Sequence, residues 1–245
     1  MLILLTNPQP QNDRLAALFV ARGAAVVQLP LHHITPPPDD GAALHEFIET
    51  VELYDWIIVT SAHSARVVVD HLRWRVRQVG PLSFAAVGQC TADILIAADL
   101  TVALIGDSGG AALVDSLLTA RSRPSQIAVL RASAGHDDWH DALRSAGVRV
   151  TAIDTHALLP SAIDGAAWCD EHAQKKIDAL IFTAPSAVIQ FAKLFPAWTA
   201  EKIFSAARCV AIGHTTAEAI EQVMHVTPTI AATPCYEALV ECVIP

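Results

Sequence analysis

Seven short apolar runs in this 245-residue chain end in turns rich in hydroxyls and glycine. They are Thr6-Asn7-Pro8, Thr60-Ser61-Ala62, Gly88-Gln89-Cys90-Thr91, Asp107-Ser108-Gly109-Gly110, Arg131-Ala132-Ser133, Thr183-Ala184-Pro185-Ser186 and Gly213-His214-Thr215-Thr216. Where such a turn opens a helix, it presents backbone N–H groups and the positive end of the helix dipole, which together suit a carboxylate or a phosphate. Ser and Thr are also the usual N-caps, so each hydroxyl has a purely structural use as well. So many turns of one kind, gathered around one ligand, favour a molecule that carries several negative charges.

Histidine supplies a second kind of chemistry. His32, His33 and His156 end apolar runs just before proline-containing stretches. An imidazole with an ordinary pKa near 6.5 can move a proton there at neutral pH, though such positions are also common for partly exposed linker residues. His136 and His140 stand four apart, as two zinc ligands on one helix face would. No third ligand accompanies them, and H-D-D-W-H suits a solvated first helical turn, so no metal is expected. The chain has no G-x-G-x-x-G, no G-x-x-x-x-G-K-[ST] and no G-x-S-x-G, which removes the simplest nucleotide-binding and hydrolase readings.

The elements that must hold these turns follow from periodicity. Strands are expected at 2–6, 25–29, 55–59, 84–87, 102–105, 126–130, 148–153, 178–182, 208–212 and 227–231. Helical patterns lie between them, near 12–22, 41–51, 63–73, 90–98, 110–119, 138–146, 165–174, 186–195, 215–223 and 235–242. Strict alternation of near-continuously apolar strands with helices implies parallel sheets covered on both faces. In such sheets ligands bind beyond the carboxyl ends of the strands, which is where the turns above fall.

The elements also recur in a fixed order. Y-D-W-I-I-V-T-S-A-H-S-A (54–65) returns as I-D-A-L-I-F-T-A-P-S-A-V (177–188), and F-A-A-V-G-Q-C-T-A-D-I-L (84–95) as C-V-A-I-G-H-T-T-A-E-A-I (209–220). G-A-A-L-V-D-S-L (110–117) returns as Y-E-A-L-V-E-C-V (236–243), and R-G-A-A-V (22–26) as A-G-V-R-V (146–150), all about 124 residues apart. The expectation is an internal duplication that builds two flavodoxin-like lobes with a cleft between them. Segments 34–40 (I-T-P-P-P-D-D) and 157–165 (A-L-L-P-S-A-I-D-G) read as extended, proline-stiffened hinges. The segment 121–125 marks the seam of the repeat.

Composition agrees with a two-domain globular chain. It is 53% hydrophobic, but charged residues interrupt every long apolar stretch. The nearest approach to a membrane span, 95–105, is too short and carries Asp99. No secretory leader is read at the N-terminus. Five cysteines without a C-x-x-C pair fit reduced thiols and a cytoplasmic setting. A net charge of −9 argues against nucleic acid as a partner but is compatible with a small anion held at a local positive site. No long apolar stripe demands a partner chain, so a monomer is expected.

The blocks T-S-A-H-S-A (60–65), A-V-G-Q-C-T-A (86–92), F-T-A-P-S-A-V (182–188) and A-I-G-H-T-T-A-E-A-I (211–220) resemble those of the uroporphyrinogen-III synthase family. So do the opening L-L-T-N-P with V-V-Q-L-P (4–30) and the ending P-C-Y-E-A-L-V (234–240). The resemblance implies an exchange of segments between lobes, with 1–35 plus 163–245 in one and 36–162 in the other. It implies conversion of a linear tetrapyrrole, hydroxymethylbilane, into uroporphyrinogen III, with ring D inverted, water lost and no cofactor. The implied substrate-binding positions are Thr60, Ser61, His63, Thr91, Arg131, Thr183, Ser186, Arg208, Gly213, Thr215 and Thr216.

Three positions depart from the family pattern. Asn7 stands where an arginine is usual, His63 where an asparagine is usual, and His156 where a tyrosine is usual. His156 is therefore the candidate general acid. A non-catalytic tetrapyrrole-binding or regulatory relative with the same cleft is the alternative reading, and a two-lobed binder of another small anion is a third.

Overall fold

The computed structural model describes residues 1–79, 82–106, 110–119, 124–133, 138–198 and 202–244. Most of the turn expected at 107–110, most of the seam at 121–125, and His136 lie outside the described residues. In chain order the elements are β1 (Leu2–Leu5), α1 (Gln11–Ala21), β2 (Ala25–Gln28), β3 (His32–Thr35), α2 (Ala42–Glu49), β4 (Trp56–Val59), α3 (Ala62–Val79), β5 (Phe84–Ala86), α4 (Gln89–Ile96), β6 (Val102–Ile105) and α5 (Gly110–Thr119). They continue with β7 (Gln126–Ala132), α6 (Asp138–Ser145), β8 (Arg149–Pro160), α7 (Gly165–Glu171), β9 (Ala179–Phe182), α8 (Pro185–Leu194), β10 (Arg208–Ala211), α9 (His214–Met224), β11 (Thr229–Ile230) and α10 (Tyr236–Val243).

Two compact units divide the chain: Met1–Ile34 with Leu159–Pro245, and Thr35–Leu158. The first contains a five-stranded sheet in the order β11-β10-β9-β1-β2. The second contains β4 to β7 and most of β8, which belong to a six-stranded sheet in the order β3-β8-β7-β4-β5-β6. Every pair with a described register is parallel. In both sheets the succession of strands reverses at an inner pair, β1 with β9 and β7 with β4. Those reversals are the topological switch points, where an open α/β sheet leaves a crevice at its carboxyl edge.

Alternation along the strands explains why both faces are covered. Ile3 and Leu5 of β1 pack with Ala179 and Ile181 of β9 under α1 and α10, while Leu4, Leu180 and Phe182 join the opposite core with α8 and α9. In the second unit Ile57 and Val59 face Phe47, Ala65 and Leu95, and Ile58 faces Leu113, Leu117 and Leu143. These side chains are fully or almost fully buried, so each strand is apolar on both sides. The acidic residue in each repeated block anchors the amino edge of a sheet. Asp178 accepts from the Leu2 N–H at 2.7 Å, and Asp55 accepts from the N–H groups of Ser125 and Gln126 at 2.7 and 2.9 Å.

The hinge segments are more regular than the sequence suggests. Residues 32–35 form β3, which was not expected, and β8 runs on to Pro160 rather than ending near 153. The two are neighbours in one sheet, so the apolar run Ala157, Leu158, Leu159 is strand instead of free linker. Proline is tolerated at its end because no further ladder bond is required there. Helix α3 also exceeds its expected end, since no helix breaker intervenes before Gly80 and Pro81.

Candidate functional site

In the second unit the switch point lies where β4 ends at Thr60 and β7 ends near Arg131. Thr60 gives both its N–H and its hydroxyl proton to the Leu130 carbonyl, each at 3.1 Å, which ties the α3 turn to β7. Ser61 caps α3: its oxygen accepts from the Ser64 N–H at 3.1 Å. The Ser61 hydroxyl donates to the Ser64 hydroxyl at 3.0 Å, and Ser64 lies 3.0 Å from Thr155 Oγ1. Thr155 in turn donates to the Arg131 carbonyl at 2.9 Å and sits 2.9 Å from His156 Nδ1. Beyond it, the His63 and His156 rings are 4.3 Å apart at 58°.

A register break creates this arrangement. Asp154 pairs with Arg131 and His156 with Ala132, so Thr155 is an extra residue in β8. The bulge interrupts the two-residue alternation of side chains, and Thr155 and His156 are buried side by side instead of on opposite faces. Burial pushes His156 down from 6.5 to about 4, with His63 adding to the effect. His63 is lowered too, chiefly by burial and then by Arg66. Burial therefore favours the neutral form of both imidazoles at pH 7. Arg131 donates through Nε to Asp154 at 3.3 Å, and the two line a cavity of about 220 Å³ with Pro38, Asp39, Ala43 and Ala152.

Thr91 is buried in the first turn of α4 and bonds back to the Val87 carbonyl at 3.5 Å. Gly88 precedes that helix with φ +96° and ψ 154°, a conformation only glycine adopts easily.

In the first unit the switch point brings β1 and β9 together. Thr6 donates to the Ile181 carbonyl at 2.7 Å. The Thr183 hydroxyl donates to the Asn7 side-chain oxygen, and the Asn7 amide reaches the Tyr236 hydroxyl at 3.5 Å. Asn7 thus links β1, β9 and the start of α10. The Arg14 guanidinium lies 5.8 Å over the Tyr236 ring. At α8 and α9 the residues preceding the helix, Ala184 and Gly213, offer no side-chain cap. Ser186 and Thr215 are exposed in the first turns of those helices, and Thr216 is buried. These two helix starts keep backbone N–H groups for an anion.

The structure brings Thr60, Ser61, His63 and His156 together, and it places Thr183 in the Asn7 cluster. Arg208 stands elsewhere. It opens β10 at the amino edge of its sheet, and its guanidinium donates at 2.6 Å to the Val243 carbonyl at the end of α10. Sequence reasoning missed Ser64, Thr155 and Tyr236. Ser64 was visible inside the T-S-A-H-S-A block, but nothing local marks the bulge that turns Thr155 towards it. Among the described residues no three His, Cys, Asp or Glu side chains gather as metal ligands, and no helix is long and apolar enough to cross a membrane.

Fold and site define a doubly wound α/β protein of two units, each with hydroxyl and amide groups at the switch point of its sheet. The family profile described as Uroporphyrinogen-III synthase HemD matches residues 13–241, and the chain belongs to the uroporphyrinogen-III synthase family. Over 97 residues it is 35% identical to the uroporphyrinogen-III synthase of Synechococcus elongatus, a match that spans 39% of this chain and 36% of that relative's length. A crystal structure of a mutant uroporphyrinogen III synthase from the extremely thermophilic bacterium Thermus thermophilus superposes with a TM-score of 0.68 at 17% identity, covering 98% of this chain and 96% of that one. The uroporphyrinogen-III synthetase of Helicobacter pylori 26695 gives 0.57 at 18%, covering 98% and 97%. At these identities the structural likeness is one of fold. Family membership implies a role in tetrapyrrole biosynthesis.

Proposed function

We propose that this chain is an active uroporphyrinogen-III synthase, a lyase that closes hydroxymethylbilane to uroporphyrinogen III with inversion of ring D and loss of water. The family match across residues 13–241 carries the reading. The site chemistry is consistent with it. A substrate with eight carboxylates suits the uncapped N-termini of α8 and α9, with Ser186, Thr215 and Thr216 beside them. The bilane can close without inversion, so the protein's main task is to hold one productive geometry, an effect worth several kcal/mol. Neutral His63 and His156 offer hydrogen bonds without adding charge, and a neutral ring that takes up a proton becomes an imidazolium. The reaction needs no cofactor in this reading, and the protein acts as a cytoplasmic monomer on a small molecule.

A coupled assay tests it. Hydroxymethylbilane is generated in place, and the ratio of type III to type I uroporphyrinogen is read by chromatography after oxidation. Type III product that scales with added protein supports the synthase. Type I alone, at the uncatalysed rate, refutes it and leaves tetrapyrrole binding as the function to measure.

A further inference from the structure

We infer that Thr155 is a positioning residue that locks His156 in the Nδ1–H tautomer, so that His156 Nε2 serves as a proton acceptor. The inference follows from counting protons around one hydroxyl. A carbonyl oxygen can only accept, so the single Thr155 hydroxyl proton goes to the Arg131 carbonyl at 2.9 Å. Thr155 Oγ1 is then an acceptor towards both of its other neighbours. Ser64, 3.0 Å away, donates to it and accepts from Ser61, whose own oxygen accepts from the Ser64 N–H. His156 Nδ1, at 2.9 Å, must carry the ring proton. The chain of donors runs one way, Ser61 to Ser64 to Thr155 to the Arg131 carbonyl, and no member can reverse without breaking another bond.

A neutral imidazole has one N–H, so Nε2 keeps its lone pair, and among the described residues nothing hydrogen-bonds to it. This reverses the role expected for His156 from sequence. Ring closure of a hydroxymethyl-pyrrole chain joins a methylene carbon to a pyrrole carbon and releases that carbon's proton. The leaving hydroxyl takes up a proton and departs as water, so the two events sum to loss of one water. An Nε2 acceptor suits the first event and not the second. The use of Nε2 in catalysis rests on the synthase activity proposed above. The tautomer does not.

Long-range 1H–15N correlation spectra of the full-length 15N-labelled protein at neutral pH test the assignment directly, with His156→Gln identifying the signal among eleven histidines. The expected result is a protonated Nδ1 and a bare Nε2 in the native protein. A protonated Nε2 overturns the inference without recourse to any other variant. Thr155→Val should lose the lock and populate the Nε2–H form, while Thr155→Ser should keep the native pattern. In the coupled assay Thr155→Val should lower kcat about tenfold or more with KM little changed, and Thr155→Ser should restore it. A reversed tautomer with unchanged kcat overturns the positioning role. An inactive native protein with the Nδ1–H tautomer refutes the proposed activity instead.

Discussion

Replacing His156 with Gln removes a group whose protonation differs sharply between the folded and unfolded chain. Burial, with His63 beside it, holds the native imidazole near a pKa of about 4, against 6.5 when exposed. Between those values the unfolded chain binds the proton and the folded chain does not. Stability therefore rises with pH across the window and is lost as pH falls from 6.5 towards 4. For this one residue the linkage between about pH 7.5 and about pH 5 comes to ~2 kcal/mol. His140, lowered to about 4 by burial and by Arg131 and Arg144, contributes in the same direction and is left in place. Asp39 and Asp55, held low by backbone N–H groups, lose their share only below their unfolded value of 3.8. Urea unfolding of both proteins at the two pH values isolates the difference. The native protein should lose ~2 kcal/mol more than His156→Gln on acidification. Equal losses would mean that His156 protonates as readily in the fold as in the open chain, and the buried, neutral imidazole would have to be abandoned.

Other outcomes follow from single contacts. Thr216→Ala should reduce type III formation in the coupled assay while changing stability in urea by no more than ~1 kcal/mol. Lost stability with full activity would make Thr216 purely structural. Arg208→Met removes a bond to the Val243 carbonyl far from the carboxyl edge of its sheet, so it should cost ~1 kcal/mol in urea unfolding and leave type III formation unchanged. Gly88→Ala forces a side chain into a backbone at φ +96°, and thermal unfolding should show a loss of about 1–3 kcal/mol. An alanine at 88 with native stability would show that the turn relaxes freely.

Much of the architecture was legible because it depends on local pattern. The apolar runs Ile57-Ile58-Val59 and Leu180-Ile181-Phe182 are buried on both faces, so they read as parallel strands from composition alone. The hydroxyl turns fall at the carboxyl edges for the same reason, since a strand that feeds a helix must turn there. The hinges were less legible. Proline at 36–38 and 160 signals an extended chain, but whether that chain pairs with another strand is settled by a partner distant in sequence, here β3 with β8. Arg208 shows the same limit, because the direction of its guanidinium depends on where α10 ends.

The sequence by itself determined the alternation of strands and helices apart from β3, the apolar cores and the family, all of which are written in residue types and short spacings. The tertiary structure decided which hydroxyls act together and in what protonation state. Ser61 and Ser64 lie far along the chain from Thr155 and His156, and only the adjacency of β4, β7 and β8, with one bulged residue in β8, places them in contact. Burial then sets the charge of His156, and burial is a property of packed neighbours that no stretch of sequence contains.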